Sequence, residues 1–480
     1  SQFNSSIDIP GKVSYSEWTM VFHNHGDFWQ EEARFDLLLP QDSVVSRLTL
    51  WVNGEEREAA FAKESQVVSA YKKVVSRRRD PVLVTYAGQD RVFVQCFPVQ
   101  KGETMKIRLG ITSAILPHKS LNQAQFDLPQ IVNENFNIKP ELKHHIWLES
   151  KHALEAQKNS NLKLSYDNAY RLNGDIQHKD LPEAAIAKIK TDRDNWSSWT
   201  KNNGTFIQQD LSSEDFNDKL IIVLDGSQSL APFYEKIKTA LQAIQPKIQR
   251  IIIAGETLRE IRHVEELTED DFQYVGDNIS ALKLALNEQQ AKESILWVSG
   301  SRPYLIGPSE ALYQQIHRRP LNKAIFHCQL TAGSNRILKE FKKEDLFQNI
   351  AWDNEDSFQV FNDLQYSFKR NYADSTSLRG KETSKHIARL WVKDLINSKR
   401  KQTQTRDELV QLGRDYQVVT RLTGAVVLEN QQQYAESGLD DVDTDTVPTV
   451  PEPETYAMII LALLCFLFLH WRSKQQDYAC

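Results

Sequence analysis

The sequence predicts a multidomain chain of mixed α+β and α/β type that ends in one transmembrane helix. Three observations predict it. Apolar and polar residues alternate through the first 115 positions, as in half-buried strands. At residue 219 the pattern changes to short continuous apolar runs separated by amphipathic segments, as in a parallel sheet covered on both faces. From 456 to 469 the stretch YAMIILALLCFLFL is uninterrupted apolar. The expected division is a β-sandwich-like domain over 1–115, a β-rich subdomain over 116–215 and a doubly wound parallel-sheet domain over 216–345. A helical and strand extension over 346–432, an acidic Pro-containing linker over 433–455, an anchor over 456–471 and a cytoplasmic tail over 472–480 follow.

In the first domain the strand candidates are WTMVFHN, EARFDLLLP, SRLTLWVNGE, PVLVTYAG, RVFVQCFPV and MKIRLGIT. Turn signals such as Asn53-Gly54 and Lys101-Gly102 separate them. One helix interrupts them over 62–79, with Val67, Val68, Tyr71, Val74 and Val75 at helical spacing. Over 116–215, FDLPQIVNENFNI, HHIWLES, LKLSYD and TFIQQDLS read as further strands, and 181–196 as one short helix. Beyond 219, the buried-strand runs KLIIVLD, RIIIAG, SILWVSG and KAIFHCQL alternate with FYEKIKTALQAI, NISALKLALNEQQA and EALYQQIHRR, which gives the doubly wound order. TSKHIARLWVKDLIN and RDELVQLGRDY read as helices, and QVVTRLTGAVVLEN as strand–turn–strand around Thr423-Gly424.

Composition narrows the function. Lys and Arg number 58 against 64 Asp and Glu, a formal charge of −6, which argues against a nucleic-acid partner. The four cysteines, at 96, 328, 465 and 480, have neither CxxC pairing nor zinc spacing. The chain starts SQFNSSIDIPGK, without a basic or apolar leader, which suggests a removed targeting segment or a piece of something longer. At the other end, the apolar stretch counted to Trp471 has 16 residues, about 24 Å of helix at ~1.5 Å per residue. Upstream of it, Glu436, Asp440, Asp441, Asp443, Asp445, Glu452 and Glu454 stand with no Lys or Arg between them. Arg472 and Lys474 follow it, and the positive-inside rule keeps them cytoplasmic. The bulk of the chain is therefore expected outside the inner membrane.

One constellation suits ligand chemistry. Asp225, Ser227 and Ser229, in LIIVLDGSQSL, follow the first buried strand of the α/β domain, where loops converge on ligands. A carboxylate and two hydroxyls are hard oxygen donors suited to Mg²⁺, Mn²⁺ or Ca²⁺. His23, His25 and Asp27 read better as surface residues of a strand end than as a metal cluster. Arg77-Arg78-Arg79 reads better as a solvated helix end than as an anion site. No Gly-x-Ser-x-Gly, Walker loop or Cys/His nucleophile pattern is present, so no enzymatic step is expected.

Three resemblances sharpen this reading. The blocks LPQDSVVSRLTLWVNGEEREAAF and VVSAYKKVVSRRRDPVLVTYAGQDRVFVQCFPVQKGETMKIRLG resemble a VIT domain, named for vault protein and inter-alpha-trypsin inhibitor heavy chains; Tyr71 directly after Ala70 is a small departure. The Asp-x-Ser-x-Ser loop resembles the metal-ion-dependent adhesion site of von Willebrand factor A domains. That resemblance implies a divalent cation, Mg²⁺ first with Mn²⁺ or Ca²⁺ as alternatives, held by Asp225, Ser227, Ser229 and Asp277, with a position left open for a partner's acidic group. Asp277 stands where that family has Thr, Gly300 stands where it has Asp, and Arg302 nearby would oppose a cation. The tail VPTVPEPETYAMIILALLCFLFLHWRSK resembles a PEP-CTERM sorting signal, with Pro451-Glu452-Pro453, a short apolar helix and a basic cluster; the extra QQDYAC departs from it. It implies processing by an exosortase in a Gram-negative envelope that makes exopolysaccharide.

The combined expectation is a membrane-anchored binding or adhesion protein of the cell envelope, meeting an envelope protein or a glycan and linked to exopolysaccharide or surface assembly. It would stay at the inner membrane or be released to the surface after processing. The alternatives are a metal-free structural or assembly factor, and a hydrolase using Asp225 or the His23/His25 pair.

Overall fold

The computed structural model describes residues 2–8, 12–77, 80–118, 120–156, 161–183, 185–190, 196–318, 325–341, 346–350, 358, 361, 364–398 and 406–439. Pro451, Glu452 and Pro453, the anchor expected over 456–471, and Arg472 and Lys474 lie outside them. Among the described residues no helix is long and apolar enough to cross a membrane.

The first part of the chain is built from β1 (Gln2–Asp8), β2 (Val13–His23), β3 (Gln30–Leu38), β4 (Ser43–Val52), β5 (Glu55–Glu58), β6 (Ala60–Lys63), α1 (Glu64–Ser76), β7 (Val82–Gly88), β8 (Arg91–Gln100) and β9 (Thr104–Ala114). β10 (Gln130–Glu134), β11 (Lys143–Ser150), β12 (Lys163–Asp167) and β13 (Ala169–Gln177) extend these sheets, and β20 (Thr423–Val427) returns to them from the far end of the chain. One sheet runs β12-β13-β11-β1-β2-β9-β4-β5 and the other β10-β3-β8-β7-β20-β6. Their facing residues, among them Trp18, Leu48 and Ile107 against Phe35, Val84 and Val94, share one core.

The region expected as a separate β subdomain is thus divided, and four of its strands belong to the sandwich. β11 pairs in parallel with β1, and β10 pairs with β3. Pro117–His118, Ser120–Asp127, Leu154–Ala156 and Ala185–Lys190 form a small sheet of their own, and Ser198–Asn202 and Thr205–Asp215 join Leu364–Tyr372 and Lys381–Glu382 in another. The helix expected over 181–196 is a 3₁₀ turn at His178–Glu183 followed by the strand Ala185–Lys190, which pairs with both Ser120–Asp127 and Leu154–Ala156. Pairing on two sides outweighs the helix propensity of its alanines.

The strand–turn–strand expected at 417–430 is also different. Thr423 and Gly424 lie inside β20, which pairs with β6 on one side and β7 on the other. Gly424 has a reason to be there: a Cβ would stand 2.7 Å from Val67 Cγ2 and 3.0 Å from the Val84 carbonyl oxygen. Its bareness lets α1 lie close on the outer face, where Val67, Ala70, Tyr71 and Val74 meet Ala60, Ala62, Leu83 and Val426. The other sheet is covered by α5 (His386–Ser398), which packs on β4 and β9. Both faces of β4 are therefore buried, and its charged Arg47 is matched by Glu17 at 2.6 Å and Glu58 at 2.5 Å.

The α/β part contains β14 (Lys219–Asp225), α2 (Tyr234–Ala243), β15 (Ile248–Ala254), β16 (Leu258–Ile261), α3 (Asn278–Glu288), β17 (Glu293–Ser299), α4 (Ser309–Arg318), β18 (Ile325–Gln329) and β19 (Phe347–Asn349). The sheet order is β16-β15-β14-β17-β18-β19, parallel except for β16. Apolar runs such as Leu220–Leu224 are buried on both faces because separate cores lie on the two sides, one around Ile237 and Leu241 of α2, the other around Leu282 and Leu286 of α3. The strand order reverses between β15 and β17 with β14 at the centre, the place where open α/β sheets gather their ligand loops.

The two parts touch directly. Asn349 donates to the Gln89 carbonyl at 2.9 Å, and the Gly333 N–H donates to the Val132 carbonyl at 2.5 Å. Leu364–Tyr372, paired with Thr205–Asp215, brings the buried Arg370 to Asp42 of the sandwich at 2.6 Å and to Asp394 of α5 at 2.7 Å. Lys393 joins the same cluster through Asp42.

Candidate functional site

The site lies at the C-terminal ends of β14, β15 and β17. Asp225 closes β14, and the chain then turns through Gly226, where a Cβ would lie 2.6 Å from the Asp271 carbonyl oxygen and 2.8 Å from that of Ala254. That approach lets Ser227 and Ser229 stand together, with their hydroxyls 2.9 Å apart. Three of the four expected ligand residues are thus neighbours.

Asp225 is 0% exposed, and its oxygens are taken up within the protein. Oδ1 accepts from the Ser227 N–H at 3.2 Å, from Asn278 Nδ2 at 3.2 Å and from Arg302 Nη1 at 2.7 Å, and Oδ2 accepts from the Gly300 N–H at 3.2 Å. Arg302, 4% exposed, also donates through Nη2 to the Gly276 carbonyl at 2.5 Å. A carboxylate can stay charged away from water only with such matching. Asp277, the fourth residue, faces elsewhere. Its carboxylate caps α3, accepting from the Ser280 N–H at 3.1 Å and the Ser280 hydroxyl at 2.5 Å. No hydrogen bond joins it to Asp225, Ser227 or Ser229.

As arranged, these residues do not fit a resident divalent ion. Hard cations are held mainly by anionic and carbonyl oxygens. Here the charge of Asp225 is matched by a guanidinium, Asp277 caps a helix, and two neutral hydroxyls remain. At Gly300, where the resemblance would expect an aspartate, a Cβ would already come within 2.8 Å of Ser229 Oγ. Among the described residues, no group of three or more His, Cys, Asp or Glu is placed to hold a metal ion.

Residue-by-residue reading missed two supports of the site. Asn278 is buried at the start of α3 and bridges Asp225 to Trp297, accepting from its indole N–H at 2.7 Å. The signal for it was an Asn directly after the loop Asp, ahead of an apolar helix. The second is a polar line running from the sheet towards the sandwich. Ser299 Oγ lies 3.0 Å from His327 Nε2, and His327 Nδ1 lies 3.1 Å from Asn349 Oδ1, next to Gln89. Burial lowers the His327 pKa to about 3, so the ring is neutral.

Three large side chains stand open on the loops of the site. Tyr274 and Val275, just before Gly276, are 48% and 68% exposed, and Tyr304, two residues past Arg302, is 77% exposed. The remaining sequence candidates sit apart from it. His23 and His25 are exposed and stack with ring centroids 3.7 Å apart, and Arg77 pairs with Glu436 at 2.9 Å. Cys96 and Cys328 are buried thiols whose pKa values burial raises.

Residues 1–111 match the family described as Vault protein inter-alpha-trypsin domain. No curated protein matches the chain. Similar solved structures include proximal thread matrix protein 1 from the mussel byssus, at 8% identity over 31% of this chain and 48% of that one, with a TM-score of 0.24. A von Willebrand factor type A protein from Catenulispora acidiphila is 10% identical over 34% of this chain and 50% of that one, with a TM-score of 0.24. The ArnB paralog VWA2 from Sulfolobus acidocaldarius is 13% identical over 50% of this chain and 91% of that one, with a TM-score of 0.23. The chain spans about half the length of the first two.

Proposed function

We propose that the chain is a binding protein of the cell envelope rather than an enzyme. The apolar helix expected over 456–471 tethers it to the inner membrane with its bulk outside the cytoplasm, and an exosortase acting near Pro451-Glu452-Pro453 sorts it. Its partner is an envelope protein or glycan that docks on the loops at the C-terminal ends of the parallel sheet. The observation that carries this reading is the rim: Tyr274, Val275 and Tyr304 stand open on the same loops that Asp225 and Arg302 fix from beneath. Rigid aromatic side chains over an immobilised base are what a binding face needs, because little side-chain freedom is lost on docking. The hydrolase alternative loses its main candidate, since Asp225 is buried and paired and cannot meet a substrate.

A second reading, a metal-free assembly factor, is supported by the way β20 completes the sandwich sheet after the chain has passed through the α/β part. A photo-crosslinking side chain placed at 304 in the full-length protein in native envelopes separates the two. The binding reading expects a discrete adduct from 304 and none from the control position 372, which is exposed but on another element. Adducts from both positions or from neither would favour the assembly reading.

A further inference from the structure

The loop cluster at the centre of the α/β sheet contains a positive charge of the chain's own, and its contacts give it a structural task. The Arg302 guanidinium spans the loop after β14, through Asp225, and the loop before α3, through the Gly276 carbonyl. Its backbone is held in turn by the segment after β18: the Arg302 N–H donates to the Ser334 carbonyl at 2.7 Å, and the Arg336 N–H donates to the Arg302 carbonyl at 2.7 Å. From the loop after β17, one residue therefore ties three other loops at the sheet's C-terminal end. Asp225 is fully buried, and its charge is already matched by the guanidinium. Gly276 cannot be replaced without moving the loop, because a Cβ there would stand 1.5 Å from the Ala254 carbonyl oxygen.

We propose that Arg302 takes the place of a divalent ion and that the site is metal-independent by construction. A positive charge that must be acquired from solution makes a site conditional on ion supply. A guanidinium in the chain is always charged, so the loops stay organised in the presence of chelators. Arg302 is a positioning residue: at 4% exposure it cannot itself grip a partner. This inference concerns how the loops are held, and it stands whether or not a partner docks on the rim.

The test compares full-length wild type with Arg302→Gln by calorimetric titration with Mg²⁺ and Mn²⁺ and by thermal melts with either ion or with chelator. Wild type is expected to give no binding heat and the same Tm in every condition. Arg302→Gln, which frees Asp225, is expected to gain a Tm that rises with Mn²⁺, and adding Asp225→Asn should abolish that gain. If Arg302→Gln does not fold, Arg302→Lys decides, since it keeps the charge: it should fold and stay blind to Mn²⁺. Saturable Mn²⁺ or Mg²⁺ binding by wild type or by Arg302→Lys would overturn the proposal. So would a folded Arg302→Gln that ignores both ions.

Discussion

Asp225 shows how a buried carboxylate is made tolerable, by one charge partner and three neutral donors. Removing one member of such a pair leaves the other charge buried and unmatched, which costs about 3–5 kcal/mol. Asp225→Ala should lower stability by that order, read as a fall in the urea midpoint. Asp225→Asn/Arg302→Met, which removes both charges, should cost clearly less. A double variant as unstable as the single one would mean that the site depends on more than the pair. His327 supplies a pH dependence. Burial lowers its folded pKa to about 3, below the ordinary histidine value of 6.5, so below pH 6.5 the unfolded chain takes up the proton first. The stability is full above pH 6.5 and declines as pH falls towards 3, by about 2 kcal/mol at pH 5. His327→Gln should flatten that part of the acid limb, measured as urea midpoints at pH 7 and pH 5. An unchanged slope would point to the other histidines whose pKa values burial lowers, His144, His178 and His386.

Among the elements, β20 matters most for its length. It is five residues long, yet it sits between β6 and β7 and under α1. Gly424→Val would press against Val67 and the Val84 carbonyl. Overpacking of this kind costs about 1–3 kcal/mol, so the urea midpoint should fall while the near-neutral pH profile keeps its shape. An unchanged midpoint would mean that α1 can move away freely. The same strand shows what was legible in the sequence. The parallel strands were readable because runs such as LIIVL and IIIA are apolar on both faces and too short for helices. β20 was not readable as one strand, because Thr423-Gly424 carries a turn signal locally and only contact with Val67 makes glycine necessary. Ala185–Lys190 was misread because its alanines suit a helix, and only strands on both sides decide otherwise. At the site, Asp225, Ser227 and Ser229 announced themselves by spacing. The ion pair could be suspected from Arg302 alone, but the turning of Asp277 to cap α3 depends on where that helix starts in space.

At the scale of the whole molecule, the sandwich and the α/β part share polar contacts through Asn349 and Gln89, Gly333 and Val132, and the Asp42–Arg370–Asp394 cluster. β20, which follows the α/β part in the chain, also lies between β7 and β6 in the six-stranded sheet of the sandwich. A chain that crosses between its parts in this way should unfold in one calorimetric transition, and two well-separated transitions would show that the shared contacts are weak. Such a body presents Tyr274, Val275 and Tyr304 as a fixed face, as the proposed binding role requires. The most direct test is capture of partners from native envelopes by the full-length protein, with and without chelator. Wild type should retain a defined partner under those conditions, and Tyr274→Ala/Tyr304→Ala should lose it while keeping the wild-type melting temperature. Retention by the double variant, or release of the partner from wild type by the chelator alone, would contradict a metal-free binding face at the end of the parallel sheet.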